Sequence, residues 1–277
     1  MLEEIIRKAL QEDIGAGDFS TLSCVPKEAK GSAQLIVKEN GVLAGIEVAK
    51  RIYEIYDPSL SFEVFILDGA LVKKGDIAFR VAGSSQSILT TERLVLNCLQ
   101  RMSGIATMTA KIIKEIEGCN SIILDTRKTT PGLRFLEKWA VKIGGGQNHR
   151  FGLYDMIMLK DNHIDYAGGI TAAIQRTKAF LISTSKDLKI EIEVRNTEEL
   201  EEVLRVGGVD RIMLDNFSPE NLKKALKIIP SHFETEASGG ITLENIRAYA
   251  ETNVDFISVG ALTHSVKSLD LSLKAIF

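Results

Sequence analysis

The chain has 277 residues, 45% hydrophobic and 26% charged, with a net charge of -3. That composition excludes a disordered tail, a collagen and a coiled coil, and a chain this long buries a core without staples. The acidic balance argues against general nucleic-acid binding, and no apolar run approaches the ~18 residues of a membrane span. Cys24, Cys98 and Cys119 lack the C-x-x-C spacing of a zinc site, and their odd number does not suit a disulfide framework. Glu3 and Glu4 stand where a signal peptide carries bases, so a cytoplasmic location is expected.

Leu2, Ile5, Ile6, Ala9 and Leu10 form a helical stripe that ends before Gly15 and Gly17. Short apolar runs at 33–37, 42–44, 62–67 and 77–81, punctuated by Gly41, Gly69, Gly75 and Gly83, predict strands. A helix is expected over 46–56. Leu94, Cys98, Met102, Ile105, Thr109, Ile112 and Ile116 then mark one long helix over about 90–118, with Cys98 on its apolar side.

From 120 onward the pattern changes. Strand-like runs start near 122, 156, 190, 211, 233 and 256, with helical stripes between them. Alternation of this kind builds a parallel sheet with helices outside. Six strands fall short of the eight of a full barrel. The expected fold is therefore α/β: an N-terminal α+β sandwich domain over 1–103 and an incomplete, open parallel α/β barrel over 104–277. A doubly wound open sheet is the alternative, without a G-x-G-x-x-G or G-K-[ST] motif to support it.

Charge is concentrated in one place. Residues 125–163 carry a net +3 while the rest of the chain carries -6. Such an island suits an anionic small molecule; a solvated helix face is the other reading. Polar residues also close each expected strand after 120, and in a parallel barrel those ends form the active-site rim. They include Asp125 to Arg134, Lys160 to His163, Glu193, Asp215 and Asn216, Glu236 to Gly240, and Val259 to Ser265.

Glu191 and Glu193, two apart on one strand, share a face. Glu193 and Asp215 are candidates to hold Mg²⁺ or sugar hydroxyls, or else to form structural salt bridges. Ser238, Gly239 and Gly240, and likewise Gly260 and Ala261, lie between strand and helix. Such loops let backbone N–H groups approach a phosphate, although tight turns need the same residues. Arg127, Arg150 and Lys160 suit carboxylates, the arginines through their two-pronged fork. His149 ends a glycine-rich loop and is either a site residue or a structural histidine. His163 and His264 are equally explained as helix caps. The residues alone describe an enzyme with phosphate at one side of a rim, a carboxylate-bearing substrate at the other and acids between, which fits transfer of a phosphorylated sugar.

These runs together resemble a known family. T-R-K-T-T-P-G-L-R at 126–134, G-G-G-Q-N-H-R at 144–150, K-D-N-H at 160–163, E-V at 193–194, L-D-N at 214–216, S-G-G at 238–240 and V-G-A-L-T-H-S at 259–265 are similar to quinolinate phosphoribosyltransferase. E-D-I-G-A-G-D at 12–18, D-G-x-x-V-x-x-G-D at 68–76 and E-R-x-x-L-N at 92–97 extend the likeness over nearly the whole chain. Arg195 and Asn196 depart from the family pattern just after Glu193.

The resemblance implies that quinolinate and phosphoribosyl pyrophosphate give nicotinate mononucleotide, pyrophosphate and CO₂, a step of NAD synthesis, with Mg²⁺. It implies that Thr126 and Lys128 contact substrate, and that Arg127, His149, Arg150 and Lys160 hold the two quinolinate carboxylates. Glu193 and Asp215 would serve the ribose hydroxyls and Mg²⁺, and Lys128, Glu193 and Asp215 would be the catalytic set. Ser238, Gly239, Gly240, Gly260 and Ala261 would take the 5′-phosphate. Arg93 would come from the neighbouring subunit of a homodimer or a dimer-based larger assembly. The rivals are a molybdenum-locus relative with another substrate, a nicotinate phosphoribosyltransferase, and a sensor of phosphorylated sugars. The second has no use for so many cations, and the third none for Glu193 and Asp215 beside them.

Overall fold

The computed structural model describes residues 1–276. In chain order the elements are α1 (Leu2–Ile14), α2 (Phe19–Cys24), β1 (Lys30–Val37), β2 (Gly41–Val42), α3 (Ile46–Tyr56), β3 (Ser61–Val64), β4 (Leu71–Val72), β5 (Ile77–Ser84) and α4 (Ser85–Glu115). There follow β6 (Ile122–Leu124), α5 (Arg134–Ile143), β7 (Ile157–Leu159), α6 (Asp161–Ala167), α7 (Ile170–Thr184), β8 (Ile190–Val194), α8 (Thr197–Val206) and β9 (Arg211–Asp215). The last are α9 (Pro219–Leu226), β10 (Glu234–Ser238), α10 (Ile246–Ala250), β11 (Phe256–Ser258), α11 (Ala261–His264) and β12 (Leu271–Ile276). No described helix is long and apolar enough to cross a membrane.

The chain packs as two compact units, and the first is not contiguous. It holds Met1–Ala110, Thr129–Gly145 and the segment from Leu262 onward. Its antiparallel sheet has the order β12-β1-β5-β3. Ala33, Leu35 and Val37 alternate inward on β1 and are buried, as period-two patterning requires. Tyr53, Phe62 and Phe79 pack their rings together, with Phe62 and Phe79 centroids 4.6 Å apart. Two contacts explain why the later segments join this unit. β12 pairs with β1 from Ser32↔Ile276 to Val37↔Leu271. Glu137, fully buried on α5, accepts from the Arg101 guanidinium at 2.9 and 3.1 Å and from the Thr130 N–H at 3.1 Å. A division at 103/104 follows the chain; the packing instead returns two later pieces to the first unit.

The second unit holds Lys111–Lys128 and Gly146–Ala261. Its six strands are parallel, in the order β6-β11-β10-β9-β8-β7. All six lie at the predicted places, and the sheet is open rather than a closed barrel. Gln147 bridges to Leu124 on the free edge of β6, so the chain after the glycine-rich loop runs alongside that strand.

Some elements differ from expectation. α4 starts at Ser85 rather than near 90; the Ser84 hydroxyl accepts from the Ser87 N–H at 3.3 Å across its start. α2 was not foreseen, although Asp18 caps it, its carboxylate accepting from the Thr21 N–H at 3.0 Å. The short β4 was also missed, and so were α6 and β12.

Burial pushes the Cys98 thiol up to about 11, while Cys24 is exposed. At pH 8, iodoacetamide should label Cys24 in the native protein and leave Cys98 unmodified until denaturant is added. Labelling of both at equal rates, read by peptide mass spectrometry, would contradict this packing.

Candidate active site

Parallel strands bring all their C-terminal ends to one edge, so the polar residues closing them converge. In the second unit Thr126, Arg127, Lys128, His149, Arg150, Met158, Lys160, Met213, Glu236, Ser238 and Ser258 line a cavity of about 300 Å³. That volume is at the lower end of what small-molecule sites offer. Eight of these stand among the residues named from sequence: Thr126, Arg127, Lys128, His149, Arg150, Lys160, Glu236 and Ser238.

The cations are placed by their local folds. Asp125, fully buried at the end of β6, accepts from the His149 N–H at 2.9 Å and from Asn148 Nδ2 at 2.6 Å. This fixes the segment that carries Arg150. The Asp155 carboxylate accepts from the N–H groups of Phe151 and Gly152, closing the turn beyond it. Arg150 Nη1 donates to the Met156 carbonyl at 3.1 Å. Its pKa is lowered by burial first and then by the like charge of Arg127. The Lys128 N–H donates to the Thr126 hydroxyl at 3.0 Å. Lys160 lies at the start of α6, where His163 Nδ1 accepts from its backbone N–H at 3.0 Å. His163 is therefore a helix cap. His264 Nδ1 lies 2.6 Å from the Ser265 hydroxyl.

Lys160 Nζ lies 3.2 Å from Glu193 Oε2. Burial raises the Glu193 pKa, Lys160 opposes that, and the charge of Asp215 adds to it. Asp215, closing β9, accepts from Asn216 Nδ2 at 2.5 Å. Glu193 and Asp215 are not among the residues lining the cavity, and neither are Gly239, Gly240, Gly260 and Ala261. Arg93 lies exposed on α4 in the first unit. Arg195 pairs at the surface with Asp165 and Glu199, and Asn196 caps α8.

Beneath the cavity lies a charge network that was not foreseen. Glu191 and Glu236 are fully buried, and His149 is buried against them. His149 Nε2 is 3.0 Å from Glu191 Oε2 and 3.4 Å from Glu236 Oε2. Its Nδ1 lies 2.7 Å from the Arg150 backbone nitrogen. Burial disfavours charge on the ring, but the two carboxylates outweigh it and raise its pKa to about 9. Burial and then the neighbouring Glu236 raise the Glu191 pKa. Glu236 is held lower by His149 and Arg211 against its own burial. Arg211 Nη1 is 2.9 Å from Glu236 Oε2, and the guanidinium lies over the Phe256 ring at 3.9 Å. One nitrogen and two carboxylates within 4.8 Å have the make-up of a metal site, but Arg211 already supplies positive charge there. Glu236 was expected at the end of its strand; it lies instead in the middle of β10, inside a parallel sheet where an apolar residue is usual.

Model descriptions of the family place the chain. "Quinolinate phosphoribosyl transferase, N-terminal domain" matches residues 18–103, and "Quinolinate phosphoribosyl transferase, C-terminal domain" matches 105–274. A chloroplastic nicotinate-nucleotide pyrophosphorylase [carboxylating] of Oryza sativa is 47% identical, over 99% of this chain and 77% of the relative. A probable nicotinate-nucleotide pyrophosphorylase [carboxylating] of Bacillus subtilis is 42% identical, over 98% of this chain and 92% of its own. The solved structure of NadC from Streptococcus pyogenes superposes with a TM-score of 0.93 at 39% identity, covering 100% of this chain and 97% of that one. The fold and pocket are those of a phosphoribosyl-transferring enzyme. The chain belongs to the quinolinate phosphoribosyltransferase family, whose reaction converts quinolinate to nicotinate mononucleotide in NAD biosynthesis.

Gly239 holds φ at 96°, and a Cβ there would collide with the Asn216 side chain and backbone. Gly239→Ala should lower stability by roughly 1–3 kcal/mol through strain. Urea denaturation checks this; a loss below about 0.5 kcal/mol, the range of an unremarkable surface change, would show that the turn is not constrained.

Proposed function

We propose that the cavity of the second unit holds quinolinate by its two carboxylates, through Arg127, Arg150 and Lys160, with His149 in the wall. The observation that carries this is that Arg127, Lys128, Arg150 and Lys160 line one cavity. Two arginines in that wall suit a dianion, whose carboxylates match their two-pronged forks. Met158 and Met213 supply apolar surface for the ring. Ser238, Gly239, Gly240, Gly260 and Ala261 take the 5′-phosphate; Gly239 brings the backbone where no side chain fits. Thr126 braces the 126–128 turn, and Lys128 reaches the pyrophosphate.

Glu193 and Asp215 hold the ribose hydroxyls and would hold Mg²⁺. Two carboxylates at neighbouring strand ends, felt by each other electrostatically, suit a hard cation that prefers oxygen ligands. When bound, the ion would screen charge on the departing pyrophosphate. The protein's own residues orient the pyridine nitrogen toward the anomeric carbon. Once alkylated, the ring nitrogen is positive and stabilises the electron pair left on the adjacent ring carbon when its carboxylate departs as CO₂, and a proton then bonds to that pair. Arg127 and Arg150 hold the dianion while this charge changes hands.

The enzyme works in the cytoplasm as a homodimer or a larger dimer-based assembly, with Arg93 serving the partner's pocket. An exposed arginine on α4, outside the lining of the cavity, supports that reading.

Quinolinate turnover should exceed nicotinate turnover by at least about 100-fold, because a single carboxylate forgoes one of the charge-assisted contacts that the arginines and Lys160 offer. Equal turnover of nicotinate, followed by product chromatography, would overturn the dicarboxylate reading. Glu193→Ala and Asp215→Ala should each raise KM for phosphoribosyl pyrophosphate far more than KM for quinolinate, by roughly 30-fold or more. Near-normal kinetics at limiting sugar diphosphate would make both acids structural. Mixing inactive Arg93→Ala with inactive Lys160→Ala should restore activity as subunits exchange, since some sites then carry neither change. Mixed dimers that form and stay inactive would assign Arg93 to its own chain.

A further inference from the structure

Glu137 is fully buried on α5, and its two carboxylate oxygens divide their partners. Oε1 accepts from Arg101 Nε and Nη2 at 3.1 and 2.9 Å, and Oε2 accepts from the Thr130 N–H at 3.1 Å. The Arg101 guanidinium has donors left over. Nη2 also donates to the Thr263 carbonyl, and Nη1 donates to the Val266 carbonyl at 3.4 Å. One guanidinium and one carboxylate therefore join two runs that are far apart in the chain, the one around Thr130 and the one from Thr263 to Val266.

Each of these runs begins beside residues that take the sugar diphosphate under the proposed function. The chain passes from the second unit into the first directly after Lys128, and again directly after Gly260 and Ala261. We propose that Arg101 and Glu137 are positioning residues for phosphoribosyl pyrophosphate: the pair fixes the chain just beyond Lys128 and just beyond Ala261, so that the pyrophosphate contact and the 5′-phosphate loop keep one spacing. A buried acid that needed only a cation would be met by Arg101 alone. Here the second oxygen goes to a loop N–H, and the spare donors go to carbonyls at and beyond the end of α11. The support behind the pair is rigid, as positioning requires. Arg101 stands within the 31-residue α4. On the same helix the Gln100 carbonyl accepts from the Leu269 N–H at 3.0 Å, and Gln100 Nε2 donates to the Leu271 carbonyl at 2.9 Å. A side chain at Gly104 would collide with the Lys267 carbonyl, so the same segment lies close against the helix.

The chemistry of the pair gives two shape-preserving ways to cut it. Glutamine at 137 has one oxygen instead of two, so its amide N–H₂ must oppose either Arg101 or the Thr130 N–H. Lysine at 101 keeps the charge but lacks the planar fork that reaches an acid and two carbonyls together.

The inference rests on the placement of the sugar diphosphate at Lys128 and the 260–261 loop, and the experiment separates the two. Steady-state kinetics for both substrates are measured on Lys128→Ala, Glu137→Gln, Arg101→Lys and the double variant Glu137→Gln/Arg101→Lys, each at a temperature where circular dichroism shows it folded. Lys128→Ala should raise KM for phosphoribosyl pyrophosphate; if it does not, the placement fails and the inference falls with it. Glu137→Gln and Arg101→Lys should each raise that KM about tenfold, as expected when binding groups are misplaced by a fraction of an ångström. KM for quinolinate should stay within about threefold. A mere loss of folded enzyme would lower kcat and leave both KM values where they were. The double variant should match the more severe single one, because either change cuts the same link. An unchanged KM for phosphoribosyl pyrophosphate in the single variants while Lys128→Ala raises it, equal rises in both KM values, or effects that multiply in the double variant would overturn the proposal. If Glu137→Gln does not fold, Glu137→Asp, which keeps the charge but is too short to span both donors, takes its place under the same criterion.

Discussion

Two carboxylates inside a parallel sheet have to be neutralised, and the pocket follows from how this is done. Glu191 and Glu236 are fully buried on β8 and β10. Leaving one such charge unpaired costs about 3–5 kcal/mol, a large share of the stability of a typical domain. Arg211 and His149 meet that demand at 2.9 and 3.0 Å. Because His149 sits on the segment after the glycine-rich loop, the need to pair Glu191 also pulls that segment onto the free edge of β6. Gln147 bridges there, and Asp125 receives the next two residues. Arg150 is then carried to the cavity wall by structure that electrostatics already requires.

The result is a layered field. Acids lie below, paired and dry, and cations lie above, where a ligand can reach them. Burial first, and then the like charge of Arg127, lower the Arg150 pKa. An anion with two carboxylates would oppose both effects. To one side Lys160 meets Glu193, and Glu193 feels Asp215. A substrate with carboxylates at one end and a sugar diphosphate at the other matches this order of charges, which is the order the family's reaction needs.

Much of this was legible in the sequence. Parallel strands buried on both faces read as short apolar runs, so all six in the second unit were found from IILD, MIML and their counterparts. Arg127 and Lys160 stood out as charges at strand ends, and Arg150 as the cation closing the glycine-rich loop. What stayed hidden depended on distant partners. β12 alternates Leu271 and Leu273 inward, but only pairing with β1, more than two hundred residues away, makes it a strand. α6 has a lysine at its cap position and takes its capping contact from His163, not from one of the usual capping side chains. Glu236 was visible as a strand-end acid, yet its partners, Arg211 on β9 and His149 in a loop, come together only through strand order. Glu191 was seen to share a face with Glu193, but not that the two neighbours would do different things, one facing His149 and the other Lys160.

A crystal structure of this protein with quinolinate bound tests the account most directly. The account predicts both carboxylates within hydrogen-bond distance of Arg127, Arg150 and Lys160, and the ring against Met158 and Met213. Quinolinate bound away from these cations would contradict it.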